Sequence, residues 1–205
     1  MPQKMIVKNV IGVYPFLTEP RKNQDGSSGK YSLCCILKKD DPQIEQIKRA
    51  IVTVAKEKFG EKVKLGAIKL PLRDGDAEKD GDEFKNSYFF NANSGNRPQI
   101  VNRFNEKATE QDLEEYCYSG ATFHVSISFY AFDNQGNRGV ACGLNNVMLR
   151  KKTEHIGGGA SAQSEFAEFA DNADDEFDKE MDKDPYAPQN KQSDDVDFEE
   201  DFQFN

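Results

Sequence analysis

From Ala121 to Phe132 apolar and polar side chains alternate without a break, with Phe123, Val125, Ile127, Phe129 and Ala131 on one side and His124, Ser126, Ser128 and Tyr130 on the other. A period of two predicts a half-buried strand. The turn-forming run Asp133-Asn134-Gln135-Gly136-Asn137 follows, and Arg138 to Leu149 returns as the hairpin partner. Nearer the start, Met5 to Leu17 is rich in β-branched and aromatic residues and closes at Thr18-Glu19-Pro20, which predicts a first strand. Arg21 to Gly29 is a loop by composition. Lys30 to Lys39 is a second strand with Tyr31, Leu33, Cys35 and Leu37 on one face. The period then changes. Asp40-Asp41-Pro42 opens a helix, and Ile44, Ile47, Ile51 and Val54 keep helical spacing through to Phe59-Gly60.

The middle of the chain is more broken. Ala67 to Leu72 leads into a Gly- and Asp-rich loop from Arg73 to Glu83, and Asn86 to Asn93 and Gln99 to Phe104 read as strands joined by the turn Ser94 to Pro98. Thr109 to Tyr116 reads as a helical turn capped by Thr109, with Asp112 three residues on. Six or seven strands with one main helix predict a mainly β fold, an antiparallel, Greek-key-like barrel of the oligonucleotide/oligosaccharide-binding (OB) kind. The pattern leaves the strand topology open.

Charge divides the chain in two. Between Ala160 and Asn205 there are sixteen Asp or Glu against three Lys, while the preceding residues carry 24 basic against 20 acidic side chains. Large apolar residues in that last stretch are too sparse to offset the entropy of ordering it. The expected organisation is an OB-fold nucleic-acid-binding domain over residues 1–152, then a linker and a disordered acidic tail over 153–205. No apolar run is long enough to span a membrane and no export signal follows Met1, so no membrane association and a cytoplasmic location are expected. Cys34, Cys35, Cys117 and Cys142 lack C-x-x-C spacing and read as reduced thiols, and His124 and His155 have no second ligand at metal-binding spacing. No metal site and no cofactor are expected.

The chain shows no nucleophile elbow, P-loop, dinucleotide fingerprint or paired His, so no enzyme is expected. Asp74, Asp76, Asp80, Asp82 and Glu83 do not follow a calcium-loop pattern, and loop carboxylates seldom hold the two-metal geometry of a nuclease. What the body does offer is rings interleaved with cations and amides. Tyr88-Phe89-Phe90 puts three rings in a row, so one at least leaves the core if the segment is a strand. Bases stack on exposed rings while Lys and Arg follow phosphates. The candidate stacking residues are Tyr31, Tyr88, Phe89, Phe90 and Tyr130, and the candidate phosphate contacts are Arg21, Lys22, Lys38, Arg73, Lys85, Arg97, Arg103 and Arg138. The competing structural reading has Tyr88 and Phe90 filling the barrel and Phe89 packed under a loop.

Several blocks carry a family resemblance: Pro20-Arg21 and the strand after it, Leu70-Pro71-Leu72-Arg73-Asp74-Gly75-Asp76, Tyr88-Phe89-Phe90-Asn91-Ala92-Asn93, Arg97-Pro98-Gln99-Ile100-Val101, Cys117-Tyr118-Ser119-Gly120 and Gly139 to Val147. In this order they resemble a family of phage and prophage single-stranded-DNA-binding proteins, over roughly residues 5 to 170. The resemblance implies an OB fold and sequence-tolerant coating of single-stranded DNA (ssDNA) in phage replication or recombination. It also implies a tail that recruits replication or recombination proteins and competes with DNA. The tail residues singled out are Asp197, Phe198, Glu199, Glu200, Asp201, Phe202 and Phe204; the chain ends Phe204-Asn205 without the Pro-Phe of bacterial tails, which points to phage-encoded partners. Such a tail can dock on its own body or on a neighbour's, so a homo-oligomer remains open. The alternative function is a protein-interaction adaptor, in which the barrel is scaffold and the acidic aromatic tail binds a basic partner.

Overall fold

The computed structural model describes residues 2–153 and 155–156; the acidic tail, with all seven singled-out residues from Asp197 to Phe204, lies outside them. The chain order is β1 (Gln3–Phe16), β2 (Tyr31–Lys38), α1 (Gln43–Phe59), β3 (Arg73–Asp74), α2 (Gly75–Glu78), β4 (Ser87–Ser94), β5 (Gln99–Val101), α3 (Glu110–Tyr116), β6 (Thr122–Asn134) and β7 (Asn137–Lys151). Five strands form a closed ring. β4, β2, β1, β6 and β7 are neighbours in turn, and β4 meets β7 in parallel at Asn93 and Gly143. Paired residues trace the circuit from Phe16 to Ser32, Asn93, Gly143, Ser128 and then Lys4. It comes back to β1 at Lys4 rather than Phe16, the stagger that tilted strands of a closed barrel require. The short β3 and β5 extend the sheet beside β4 and β7.

The inward residues of β6 are those the alternation predicts: Phe123, Val125, Ile127 and Phe129 are 0 % exposed. Helix α1 packs on this core with Ile44, Ile47, Ile51 and Val54, all buried. β2 departs from a one-faced strand. Leu33, Cys35 and Leu37 face the barrel interior, but Cys34 and Ile36 on the other face join Val13, Phe84 and Phe89 in a small outer cluster. A strand covered on both faces reads as a continuous apolar run, which is why Leu33 to Leu37 shows no alternation.

The stretch from Arg73 to Glu83, read from sequence as a loop, instead holds β3, the single turn α2 and the start of a 3₁₀ turn at Asp82–Phe84. Asp74 caps α2 by accepting from the Asp76 N–H at 3.0 Å, and Lys39 Nζ lies 2.7 Å from both carboxylates. Asp76 also accepts from the Asn86 N–H at 2.9 Å, and these contacts, the Lys39 bond first, hold its carboxyl below the ordinary range. α3 carries the full capping box expected of Thr109 and Asp112.

β1 pairs with β6 over its first half and with β2 over its second, and its register slips between Val7 and Val10 and again between Val13 and Phe16. At the first slip Asn9 adopts φ 54° and its N–H donates to His124 Nδ1 at 3.0 Å. Only a neutral imidazole can accept there, and burial, ahead of the Arg150 and Lys8 charges, lowers the His124 pKa. A folded-state pKa below the unfolded value means stability that is present above the ordinary His value of about 6.5 and lost as pH falls through the folded one. Thermal melts between about pH 7.5 and 5 should therefore show a stability loss on acidification that is smaller in His124→Gln, whose side-chain carbonyl can accept without titrating. An equal loss in both proteins would place the acid sensitivity elsewhere.

Candidate nucleic-acid interface

Directly opposed residues on neighbouring strands share a face. On the outside of β1, β2 and β4 that rule groups Val13 and Phe16 with Ser32, Cys34 and Ile36 and with Phe89, Asn91 and Asn93. The face has two halves. Val13, Cys34, Ile36 and Phe89 are covered by Phe84 and Ile156, whereas Phe16, Asn91 and Asn93 are exposed and Ser32 half-buried. Burial holds the Cys34 thiol at about 11, so it stays protonated at neutral pH.

The open half has an aromatic edge. At the second slip in β1, Tyr14 adopts φ 52°, a left-handed conformation that is strained for an aromatic residue. Its ring is turned out to solvent, 58 % exposed, and Phe16 beside it is 36 % exposed. The Tyr14 N–H, displaced from the ladder, donates to Ser119 Oγ at 2.9 Å. Loop cations Arg21, Lys22 and Lys30 follow β1 and precede β2, and Arg97 lies in the turn after β4; all four are exposed. Across the closing contact the same row continues to Gly143 and Ser128 and, two residues along β6, to Tyr130, 41 % exposed. A Cβ on Gly143 would stand 3.5 Å from the Tyr130 ring, so the glycine leaves the row low between Asn93 and that ring. The arrangement offers rings, amides and cations to a strand of bases and phosphates.

The sequence-derived candidates separate into groups. Tyr31 lies half-buried at this end, opposite Ser94, near Arg21, Lys22 and Arg97 in the chain's course. Lys38, Arg73, Lys85 and Tyr88 lie at the other end of β2 and β4, roughly 20 Å along the strands. There Lys38 Nζ donates to the Lys85 carbonyl at 3.0 Å, Lys85 pairs with Asp82 at 2.5 Å, and Arg73 Nε is 3.0 Å from Glu78. Lys39 and Lys48 sit 5.4 and 5.1 Å from the centre of the Tyr88 ring. Arg103 stacks on Phe104 in the loop after β5, and Arg138 at the start of β7 lies 5.9 Å from the Phe59 ring of α1.

Phe89 and Phe90 must be corrected. Both are 1 % exposed, Phe90 in the barrel and Phe89 outside it between Phe84, edge-on at 5.2 Å, and the Arg73 guanidinium at 4.5 Å. Neither offers a face to a base. The rings exposed on this face are those of Tyr14 and Phe16, and the signal that could have found them is Pro15: a proline inside a strand marks a bulge or an edge.

The chain does not leave the barrel at Lys152. The Tyr118 hydroxyl donates to the Thr153 carbonyl at 2.7 Å and accepts from the Thr153 N–H at 2.9 Å, and its ring stacks on His155 at 3.9 Å. Ile156 donates its N–H to the Ser119 carbonyl at 2.8 Å and packs against the outer cluster. The last described residue thus lies beside the serine that holds Tyr14. If Ile156 shields that cluster, a thiol-specific reagent should modify Cys34 slowly in the native chain and measurably faster in Ile156→Gly, read by mass mapping; equal rates would show that Phe84 alone provides the cover.

The comparisons with known proteins agree with this architecture. The chain is 30 % identical over 177 residues to "Putative protein p50" of Acyrthosiphon pisum secondary endosymbiont phage 1, covering 82 % of this chain and 94 % of that protein. The single-stranded DNA-binding protein of bacteriophage Enc34, solved in complex with ssDNA, superposes with a TM-score of 0.66 at 27 % identity, over 75 % of this chain and 89 % of that one. The single-stranded DNA-binding protein gp2.5 of bacteriophage T7 shares the fold, with a TM-score of 0.51 at 13 % identity over 84 % of this chain and 97 % of its own. The model of a family described as the Enterobacter phage Enc34 ssDNA-binding protein matches residues 3–178, and this chain belongs to that family.

Proposed function

We propose that this protein coats ssDNA without sequence specificity during phage DNA replication or recombination, in the host cytoplasm. The observation that carries the reading is the open half of the β1–β2–β4 face. There a left-handed Tyr14 and Phe16 are turned to solvent beside Ser32, Asn91 and Asn93, with exposed loop cations at the same end. Bases stack on the rings, amides and hydroxyls bond to bases or sugars, and Arg21, Lys22, Lys30 and Arg97 hold phosphates. Lys38, Arg73 and Lys85 extend the cationic track along β2 and β4. Membership of the Enc34 family and the likeness to its solved ssDNA complex support this reading.

Binding of this kind needs positioning and charge, with no bond made or broken. Asp74 and Asp76 of the acidic stretch are engaged by Lys39 and by backbone N–H groups, an arrangement that suits a structural role for these carboxylates. The acidic tail, in this reading, competes with DNA for the body's cations and recruits replication or recombination proteins when DNA displaces it.

Fluorescence anisotropy of a labelled oligothymidine of about 30 nucleotides tests the proposal, because affinity must fall steeply with salt as counterions are released. Tyr14→Ala should weaken binding by about fivefold or more, the scale of one lost base–ring stack, and a chain ending at Gly159 should bind more tightly than the full chain. Salt-independent affinity, or none at micromolar protein, would sink the reading. The adaptor reading would then lead, with the tail as bait for its partner.

A further inference from the structure

Among the described residues, the large apolar side chain most open to solvent is Phe104, 68 % exposed, and it takes no part in the face just described. Its loop is firmly built. Val101 and Lys107 pair across the stem, and the Asn102 N–H donates to the Glu106 carbonyl at 2.8 Å. Asn102 Oδ1 accepts from the N–H groups of Phe104 and Glu106 at 3.0 and 3.1 Å, and Asn105 turns the tip with φ 65°. A ring held out in this way loses little freedom when a partner buries it. It carries charge on either side. The Arg103 guanidinium rests 4.7 Å from the ring centre, and the Glu106 carboxylate is fixed by Asn102 Nδ2, which donates to it at 3.2 Å.

Beside this loop lies a cleft of about 920 Å³ between β5 and α3. Its floor is aliphatic, with Pro98, Ile100 and Leu113, and its charged lining is Arg97, Lys107 and Glu110; Phe104 of the same chain does not line it. The side chains of Lys107 and Glu110 have no ionic or hydrogen-bonding partner among the described residues. We infer that two copies of this chain pair through this surface, the Phe104 ring of each seated on the aliphatic floor of the other's cleft. Charge complements shape. A ring that arrives with Arg103 on one side and Glu106 on the other meets Glu110 and Lys107, so each charge on the loop finds an opposite one in the cleft. Ring and cleft both come from residues 97–113 and lie side by side. One two-fold axis therefore seats both rings at once, and the contact closes as a dimer rather than growing into a filament. ssDNA fits the cleft less well, since no aromatic ring lines it for a base and Glu110 would face the phosphates. Tyr14, Phe16, Asn91 and Asn93 do not belong to this surface, so the inference goes beyond the proposed function and does not rest on it.

Sedimentation velocity of the full chain without DNA, over a range of about 1 to 100 μM, tests it by showing a concentration-dependent monomer–dimer equilibrium. Phe104→Ala should raise the dimer's Kd by about a hundredfold or more, because symmetry removes two buried rings for each substitution. Lys107→Glu and Glu106→Lys should each weaken the dimer. Mixed in equal amounts, these two variants should pair with each other more tightly than either pairs with itself, since the mixed dimer restores an opposite charge at both contacts. All three positions are exposed, so the barrel core stays intact. A monomer at every concentration, a dimer indifferent to Phe104→Ala, or a mixture no tighter than its separate components would overturn the inference. Because the assay contains no DNA, its failure leaves ssDNA binding untouched, and failure of ssDNA binding leaves this result standing.

Discussion

Closure of the barrel is the constraint on which the other features depend. Five strands can form a ring only if each is tilted and staggered, and here the last junction is the parallel meeting of Asn93 on β4 with Gly143 on β7. β1 bears the consequence, because one strand of fourteen residues must serve β6 with its first half and β2 with its second. No regular strand can follow both neighbours through that turn. It slips twice, and each slip holds a residue with positive φ, Asn9 and then Tyr14.

Both slips displace a backbone N–H from the ladder, and each donor finds a side-chain acceptor from elsewhere in the chain: His124 for Asn9 and Ser119 for Tyr14. The second shapes the open face. A left-handed aromatic residue is costly by about 1–3 kcal/mol and persists only where its surroundings over-determine it. Here the bend of β1, the Ser119 acceptor and the paired Val13 and Phe16 on either side do so, and the ring is turned into solvent at the margin of the open face. The same geometry that closes the barrel therefore supplies its most exposed aromatic edge on that face.

The covered half of the face shows the opposite solution. Phe84, Arg73 and Ile156 seal Phe89, Ile36 and Cys34 from water, so this end contributes stability and rigid cations while the other end stays accessible. The Ile156 N–H is held by the Ser119 carbonyl and the Tyr14 N–H by the Ser119 hydroxyl, so one serine ties the last described residue and the second slip of β1 together.

Much of this was legible from local pattern. The alternation of β6, the helical spacing of α1, the capping box of α3 and the turn between β6 and β7 are decided by neighbours in the chain, so the residues themselves determined them, as they did the split into a mildly basic body and an acidic tail. The motif blocks likewise carried the family. Which rings are free was not legible. Tyr88, Phe89 and Phe90 look alike in sequence, yet two are buried on opposite sides of one strand and the third is engaged by Lys39 and Lys48, because strands distant in sequence and the Arg73–Phe84 segment cover them. Tyr14 and Phe16 read as ordinary strand residues until β1 is bent between two partners. Exposure is a property of what packs against a side chain, and in a barrel that is settled by long-range pairing, so only the tertiary structure could decide it.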